Sequence, residues 1–357
     1  MSGEVRQFVV APDDDGIRLD RWFRRNLPEA GFNLVSRWAR TGQLRVDGKR
    51  AAPGDRVEVG QSIRVPPAEP VRASRPVPER RALSDDEIAF VNELVVHRDD
   101  HAIVLDKPPG LATQGGTKTT THLDGLLDGL ADEAGKRPKL VHRLDKDTSG
   151  VLLVARTARA AAFFSKAFSG RTARKVYWAV VIGVPDVEDG LIDLPLAKQP
   201  GTGGEKMHVD ESEGGLAART RYRVIERAGN RAAWVELQPL TGRTHQLRVH
   251  MAAIGHPIVG DGKYAGQEAF LTGSISRKLH LHARRLRIDH PEGGRIDVTA
   301  GPPQHFAETL ANLGFDPAAG DLPLDEPQRP PDGRRAAAAA KERRQARRGE
   351  RRSRGRS

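Results

Sequence analysis

Five charged or ionisable side chains, His142, Arg143, Asp145, Lys146 and Asp147, fall within six positions of the segment VHRLDKDTSG, immediately before the apolar run VLLVA. A loop feeding a rigid strand can hold a carboxylate in one place, as nucleophilic or acid–base work on a defined atom requires. A second polar cluster, LTGRTHQLRVH from Leu240 to His250, places Arg243 just ahead of Thr244, a residue type that caps helices. Leu247, Met251 and Ile254 recur at i, i+4 and i+7 and face a core, which leaves Arg243 free for an anion or a carboxylate. The third candidate is Tyr177 in RKVYWAVVIG. On an alternating strand Tyr177 and Trp178 point to opposite faces, so one is core while the other offers its ring to a pocket.

The elements that must position these groups are mostly strands. Ala102 to Asp106 and Val151 to Ala155 are apolar runs of strand length, Lys175 to Gly183 is rich in β-formers, and Arg219 to Ile225 and Ala233 to Leu237 alternate with period two. Helices are expected at Ala158 to Phe168, Thr244 to Ile254 and Gln304 to Leu313, each followed by a glycine. Strands and helices do not alternate regularly, so the spacing predicts an α+β fold with a mixed, mainly antiparallel sheet rather than a doubly wound parallel one. Ahead of this region the order is helix (Arg18 to Asn26), loop, helix capped by Ser36 and stopped at Gly42, strand, and a turn at Asp47-Gly48. Arg37 and Arg40 on that second helix, with Lys49 and Arg50 after the turn, can share one surface for phosphate contacts.

The 357 residues hold 58 Lys plus Arg against 47 Asp plus Glu, a net charge of +11, and no cysteine. Disulfides, thiolate metal sites and a thiol nucleophile are therefore excluded. No apolar run approaches the length of a membrane helix, and the first residues lack the pattern of a secretory signal, so a cytoplasmic protein is expected. Eleven of the basic and two of the acidic residues lie between Arg334 and Ser357, leaving the rest of the chain at +2. This tail reads as disordered and suited to phosphates without sequence preference. Five prolines between Pro66 and Leu83 mark a linker. The expected organisation is a small module over residues 1–66, a proline-rich linker over 67–86, a large domain over 87–316 and the basic tail over 317–357.

The string RLDRWFRRNLPEAGFNLVSRWARTGQLRVDGKR resembles the small RNA-binding domain named after ribosomal small-subunit protein four. In the large domain, DDHAIVLDKPPGLATQGG, HRLDKDTSG, KVYWAVVIG, LAKQPGTGGEKM, GRTHQLRVHMAAIGHPIVGDGKY and LHLHARRLRIDHP, in that order, resemble the RluA family of RNA pseudouridine synthases, most of all its branch acting on large-subunit ribosomal RNA, typified by RluC. The resemblance implies isomerisation of uridine in RNA, for this branch 23S ribosomal RNA, without cofactor or metal, and nothing in the sequence requires more than a monomer. Asp145 would be the essential carboxylate, as nucleophile or as acid/base in a glycal route, and Arg243 would pair with it. Tyr177 would stack on the base and could take a proton. Arg143 would fill the space left by a flipped nucleotide, and Leu247 would line the base pocket. Arg37, Arg40, Lys49 and Arg50 would bind RNA. The sequence departs from the family at Gln114, where QGG replaces an HGG-like segment, and in its Arg-rich tail.

Other readings are weaker. Asp145 and Asp147 could suggest a glycoside hydrolase, but no aromatic platform surrounds them. His280 and His282 lack a third ligand and read as structural histidines, and GTGGEK lacks the spacing of a nucleotide-binding loop. A non-catalytic ribosome-assembly factor and the same reaction on transfer RNA remain the alternatives.

Overall fold

The computed structural model describes residues 6–67, 81–115, 121–199 and 206–321. Most of the expected linker, nearly all of the Gly201 to Lys206 loop and the basic tail from residue 322 onward lie outside the described residues. The chain divides into two compact units at Ala82 and Leu83.

In the first unit, β1 (Arg6–Val9), α1 (Leu19–Asn26), α2 (Phe32–Arg40), β2 (Arg45–Val46), β3 (Lys49–Arg50) and β4 (Ser62–Val65) form two helices and a sheet in the order β1-β4-β2-β3. Leu19, Trp22 and Phe23 of α1 bury against Val35 and Trp38 of α2, as their spacing predicts. Helix α2 starts four residues before Ser36, after Gly31 and with no side-chain cap, so Ser36 is interior rather than capping. Asp47 (φ 47°) and Gly48 (φ 76°) make the two-residue hairpin turn, whose positive φ values suit Asp and Gly. Arg37, Arg40, Lys49 and Arg50 are all exposed. The Arg50 guanidinium lies over Gly42, just past the end of the helix carrying the two arginines.

The second unit comprises α3 (Asp85–Glu93), β5 (Val95–Arg98), β6 (Ala102–Lys107), α4 (Leu123–Leu126), β7 (Lys139–Leu140), β8 (Ser149–Ala155), α5 (Ala158–Ser169), β9 (Arg174–Ile182), β10 (Asp189–Asp193), β11 (Leu196–Lys198), β12 (Met207–Val209), β13 (Arg219–Ala228), β14 (Ala232–Pro239), α6 (Gln246–Ala253), α7 (Gly262–Ala265), β15 (Leu281–Asp289), β16 (Arg295–Thr299) and α8 (Gln304–Asn312). Its large sheet runs β10-β13-β14-β9-β15-β8-β6-β5, with β16 on β15 and β7 on β8. Every pair is antiparallel except β15 with β8, so the expected mixed, mainly antiparallel α+β architecture is present. Helix α3 begins inside the segment expected to be a linker, because Ser84 and Glu87 form a reciprocal capping box. Residues 317–321, assigned to the tail, form a 3₁₀ turn whose Gly320 packs on Trp178 and Trp234.

Period-two alternation divides the sheet's buried side chains between its two faces. On β9 and β14, Ala179, Val181, Val235 and Leu237 bury against Leu247 and Met251 of α6. Trp178, Val180 and Trp234 bury on the other side against Phe306 and Leu310 of α8. Strand β8 is buried at all seven positions, with α5 on one face and α3 and α4 on the other, which is why SGVLLVA reads as a continuous apolar run. Each such large apolar side chain contributes roughly 1.5–3 kcal/mol of burial. Among the described residues no helix is long and apolar enough to cross a membrane.

Candidate active site

The loop ahead of β8 and the turn ahead of α6 converge on a cleft of about 390 Å³ lined by, among others, Arg143, Asp145, Tyr177, Arg243, Leu247 and Arg248. Ligand clefts commonly fall in the range of roughly 300–1,000 Å³. Asp145 is the only carboxylate among the described residues that line it.

The Asp145 loop is fastened from beneath. Lys107, the last residue of β6 and the first of KPPG, is fully buried and donates its three protons to the carbonyl oxygens of Pro108 (2.9 Å), Leu111 (2.8 Å) and Lys146 (3.0 Å). Burial pulls the Lys107 ammonium down to about 8 against the opposing charges of Asp147, Asp145 and Asp106. The Gly110 N–H donates to the same Lys146 carbonyl at 3.0 Å. On the other side of the carboxylate, Thr113 Oγ1 donates to the Leu144 carbonyl at 2.7 Å and accepts the Leu144 N–H at 3.2 Å. The loop ends at Gly150 (φ 105°), where a Cβ would lie 2.2 Å from the Ala283 carbonyl oxygen; only glycine permits β8 to run that close to β15. Beside it Ser149 and His282 share a 2.9 Å hydrogen bond.

His142 is not in the chemistry. It is partly buried, stacks on Phe168 at 4.1 Å and accepts the Leu153 N–H at 2.9 Å, and burial pushes it down to about 3. His280 bonds Thr309 Oγ1 at 2.8 Å, and His282 bonds Ser149 and the Ala300 carbonyl, in agreement with a structural role. Tyr177 sits in the cleft, and Trp178 faces the opposite core, as the alternation predicts. Burial, reinforced by the nearby Asp145, pushes the Tyr177 phenol well above its ordinary range, which keeps it protonated and works against its use as a base. Leu247 is buried at the cleft's floor. Arg143 is exposed at its edge, 3.4 Å from Thr244 Oγ1.

The arginine side of the site differs from expectation. Helix α6 begins at Gln246, and its N-cap is His245, in the left-handed conformation (φ 52°, ψ 19°) and without a side-chain cap bond, not Thr244. Arg243 forms no ion pair with Asp145. Its Nε donates to the Ala217 carbonyl at 3.1 Å, and its own N–H is taken by Gln246 Oε1 at 3.0 Å, so both ends of the residue are tethered. Gln246 also accepts from Thr241 Oγ1 and donates to Arg219 O and Thr220 Oγ1.

The most deeply buried arginine of the cleft is Arg248, held in two parallel hydrogen bonds by Asp261 (2.8 and 2.7 Å). Burial opposes its charge, but Asp261 outweighs that cost and Asp145 adds to it, so its pKa rises. The nearest ionisable partner of Asp145 is His245, whose Nε2 lies 3.8 Å from Oδ2. Sequence reasoning passed over Lys107, Thr113, Arg248 and Asp261. The first two lie in the KPPGLAT segment and Arg248 in LRVH, yet only the fold shows which of two nearby arginines is buried beside a carboxylate.

The chain is similar to known proteins. Residues 101–253 match the family described as RNA pseudouridylate synthase. The chain is 33% identical over 312 residues to "Ribosomal large subunit pseudouridine synthase C" of Vibrio cholerae serotype O1, covering 86% of this chain and 96% of that one. It is 35% identical over 296 residues to the protein of that name from Escherichia coli K12, covering 82% and 91%. Among solved structures, "Human RNA Pseudouridylate Synthase Domain Containing 4" superimposes with a TM-score of 0.55 at 29% identity, covering 65% of this chain and 98% of that one. With a single cleft carboxylate set between a tyrosine and an arginine-bearing helix, the chain belongs to the RNA pseudouridylate synthase family, isomerases that convert uridine to pseudouridine within RNA.

Proposed function

We propose that this enzyme modifies uridines of large-subunit ribosomal RNA, acting in the cytoplasm as a monomer, with Asp145 as its essential carboxylate. The reaction breaks the N1–C1′ bond of a uridine, turns the base and joins C5 to C1′. N1 gains a proton, C5 loses one, and the formula is unchanged, so the chemistry calls for no oxidant or reductant. The observation that carries the reading is that, among the described residues, Asp145 alone supplies a carboxylate to the cleft, on a loop clamped at both neighbouring residues, Leu144 and Lys146. Tyr177 offers its ring to the base and Leu247 an apolar floor. Arg143, exposed at the edge, is placed to enter the gap left by a flipped nucleotide, because the glycosidic atoms are out of reach while the base stays stacked. Arg37, Arg40, Lys49 and Arg50 supply exposed cations for phosphates on the first unit. The relatives named for the ribosomal large subunit favour ribosomal over transfer RNA.

The test uses RNA labelled with tritium at uridine C5, which is released to water only when C5 becomes the glycosidic carbon. Wild type is expected to release tritium from large-subunit rRNA and not from transfer RNA, and Asp145→Ala to bind that RNA within a few fold while releasing none. Turnover by Asp145→Ala would refute the assignment. Tight binding without release by wild type would return the protein to the assembly-factor reading.

A further inference from the structure

His245 occupies a conformation that an L-residue with a large side chain adopts at a cost, at a helix N-cap where its side chain makes no capping bond. Asn or Gly would hold that backbone more cheaply. Its side chain is nine-tenths buried in the cleft wall. Nδ1 lies 2.6 Å from the Tyr264 hydroxyl, and the rings meet edge to face at 5.6 Å. That hydroxyl already accepts the Met207 N–H at 3.2 Å, and among the described residues its only other partner is Nδ1. With the phenol proton directed to Nδ1, the imidazole carries its own proton on Nε2, the nitrogen that faces Asp145 Oδ2 at 3.8 Å; this is the tautomer assigned below.

We propose that His245 is a positioning residue for the reaction: held by Tyr264 in the Nε2–H tautomer, it donates to the Asp145 carboxylate and aims it at the substrate. The inference rests on Asp145 being the essential carboxylate. At 3.8 Å the pair is longer than a hydrogen bond, and such contacts shorten as substrate fills a site. The charged and titratable groups around the ring are Asp145, Arg248, Lys263, Asp261 and Tyr264. Burial first, then Arg248 and Lys263, lower the imidazole's pKa against the pull of Asp145, so at neutral pH it is an uncharged donor. A neutral donor orients the carboxylate without neutralising it, while Arg248, paired with Asp261, adds a nearby positive charge. Because Met207 lies on β12, the relay also ties the β11–β12 hairpin to the carboxylate.

The experiment measures kcat and KM by tritium release from rRNA, with thermal melting as a folding control, for His245→Asn, Tyr264→Phe, their double variant and Asp145→Ala. Asn accepts the left-handed backbone but cannot reach Asp145. His245→Asn is expected to melt with wild type, keep KM within threefold and lose kcat on the order of 100-fold, the scale of misplacing a reacting group by an ångström. Tyr264→Phe keeps the ring under Arg248 and removes only the hydroxyl. It is expected to lose kcat about tenfold, and the double variant to be no slower than His245→Asn, because tyrosine acts through histidine. A His245→Asn enzyme within twofold of wild-type kcat, beside an inactive Asp145→Ala, overturns this proposal and spares the assignment of Asp145. An active Asp145→Ala overturns both. Single effects that multiply in the double variant overturn the relay through Tyr264.

Discussion

The loop that carries Asp145 is fastened through its backbone, whereas the turn that carries Arg243 and His245 is fastened through side chains. On the first wall Lys107, Gly110 and Thr113 bind the peptides flanking Asp145 and leave its carboxylate free. On the second wall Gln246, Arg248 and His245 spend their own functional groups on Thr241, Asp261 and Tyr264. A backbone clamp fixes where a group stands without altering its charge. A side-chain network sets charge and proton position, and so can be retuned without moving the chain. Damage to the first wall should therefore cost stability and turnover together, while damage to the second can separate them.

Acid is expected to act on both walls and to have the largest effect. His142 beneath the first wall is held down to about 3, and His250 in α6 to about 4, each chiefly by burial. Both values fall on folding, so the unfolded chain binds the extra protons. Stability is complete above the ordinary histidine value near 6.5 and is lost as pH falls from there towards 4, at about 1.4 kcal/mol per pH unit for each group. Unfolding free energies measured by denaturant titration between pH 7 and 4 should show that slope; a flat profile would mean that neither wall rests on a neutral histidine.

Lys107→Met comes next. It keeps the length of the side chain but strands three carbonyl oxygens in the interior, so a loss of about 3 kcal/mol is expected, with turnover falling as well. Stability within about 1 kcal/mol of wild type would show that the clamp is not what holds the Asp145 loop. The smallest effect is expected from Thr113→Val, which preserves volume and removes both bonds to Leu144, for about 1–2 kcal/mol. Its kcat should fall in proportion to its stability; a kcat loss with unchanged melting would assign Thr113 to the side-chain kind of wall.

The contrast also explains what the sequence could disclose. The Asp145 loop was legible because its chemistry and its apolar strand are contiguous, and the strands expected near Ala102, Val151, Lys175, Arg219 and Ala233 and the helices at Ala158 and Gln304 follow from period and glycine stops, whereas β10, β15 and β16 were not foreseen. Helix α6 was misread at its start because Thr244 has the right residue type for a cap, while the turn is closed by a left-handed His245 and by Gln246. The same error placed the cap of α2 at Ser36, where the chain enters the helix directly from Gly31. Choosing between Arg243 and Arg248 needed burial and the partner Asp261, thirteen residues farther on, which no local pattern contains. Lys107 stayed hidden because a lysine is expected at the surface, and only three convergent carbonyls make its interior position tolerable.

Strand β15 lies between β9 and β8 although it comes more than a hundred residues after β8 in the chain. During synthesis, therefore, the strand bearing Tyr177 and the strand seating Asp145 are made early but cannot become neighbours until residues 281–289 have emerged. Such distant pairing is slow, since the intervening chain must be closed into a loop before any contact rewards it. A nascent or prematurely terminated chain ending before Leu281 lacks the strand that joins the β8 and β9 parts of the sheet, so its cleft is expected to be incompletely assembled. The sheet that carries the cleft is thus complete only once nearly all of the catalytic unit has been made.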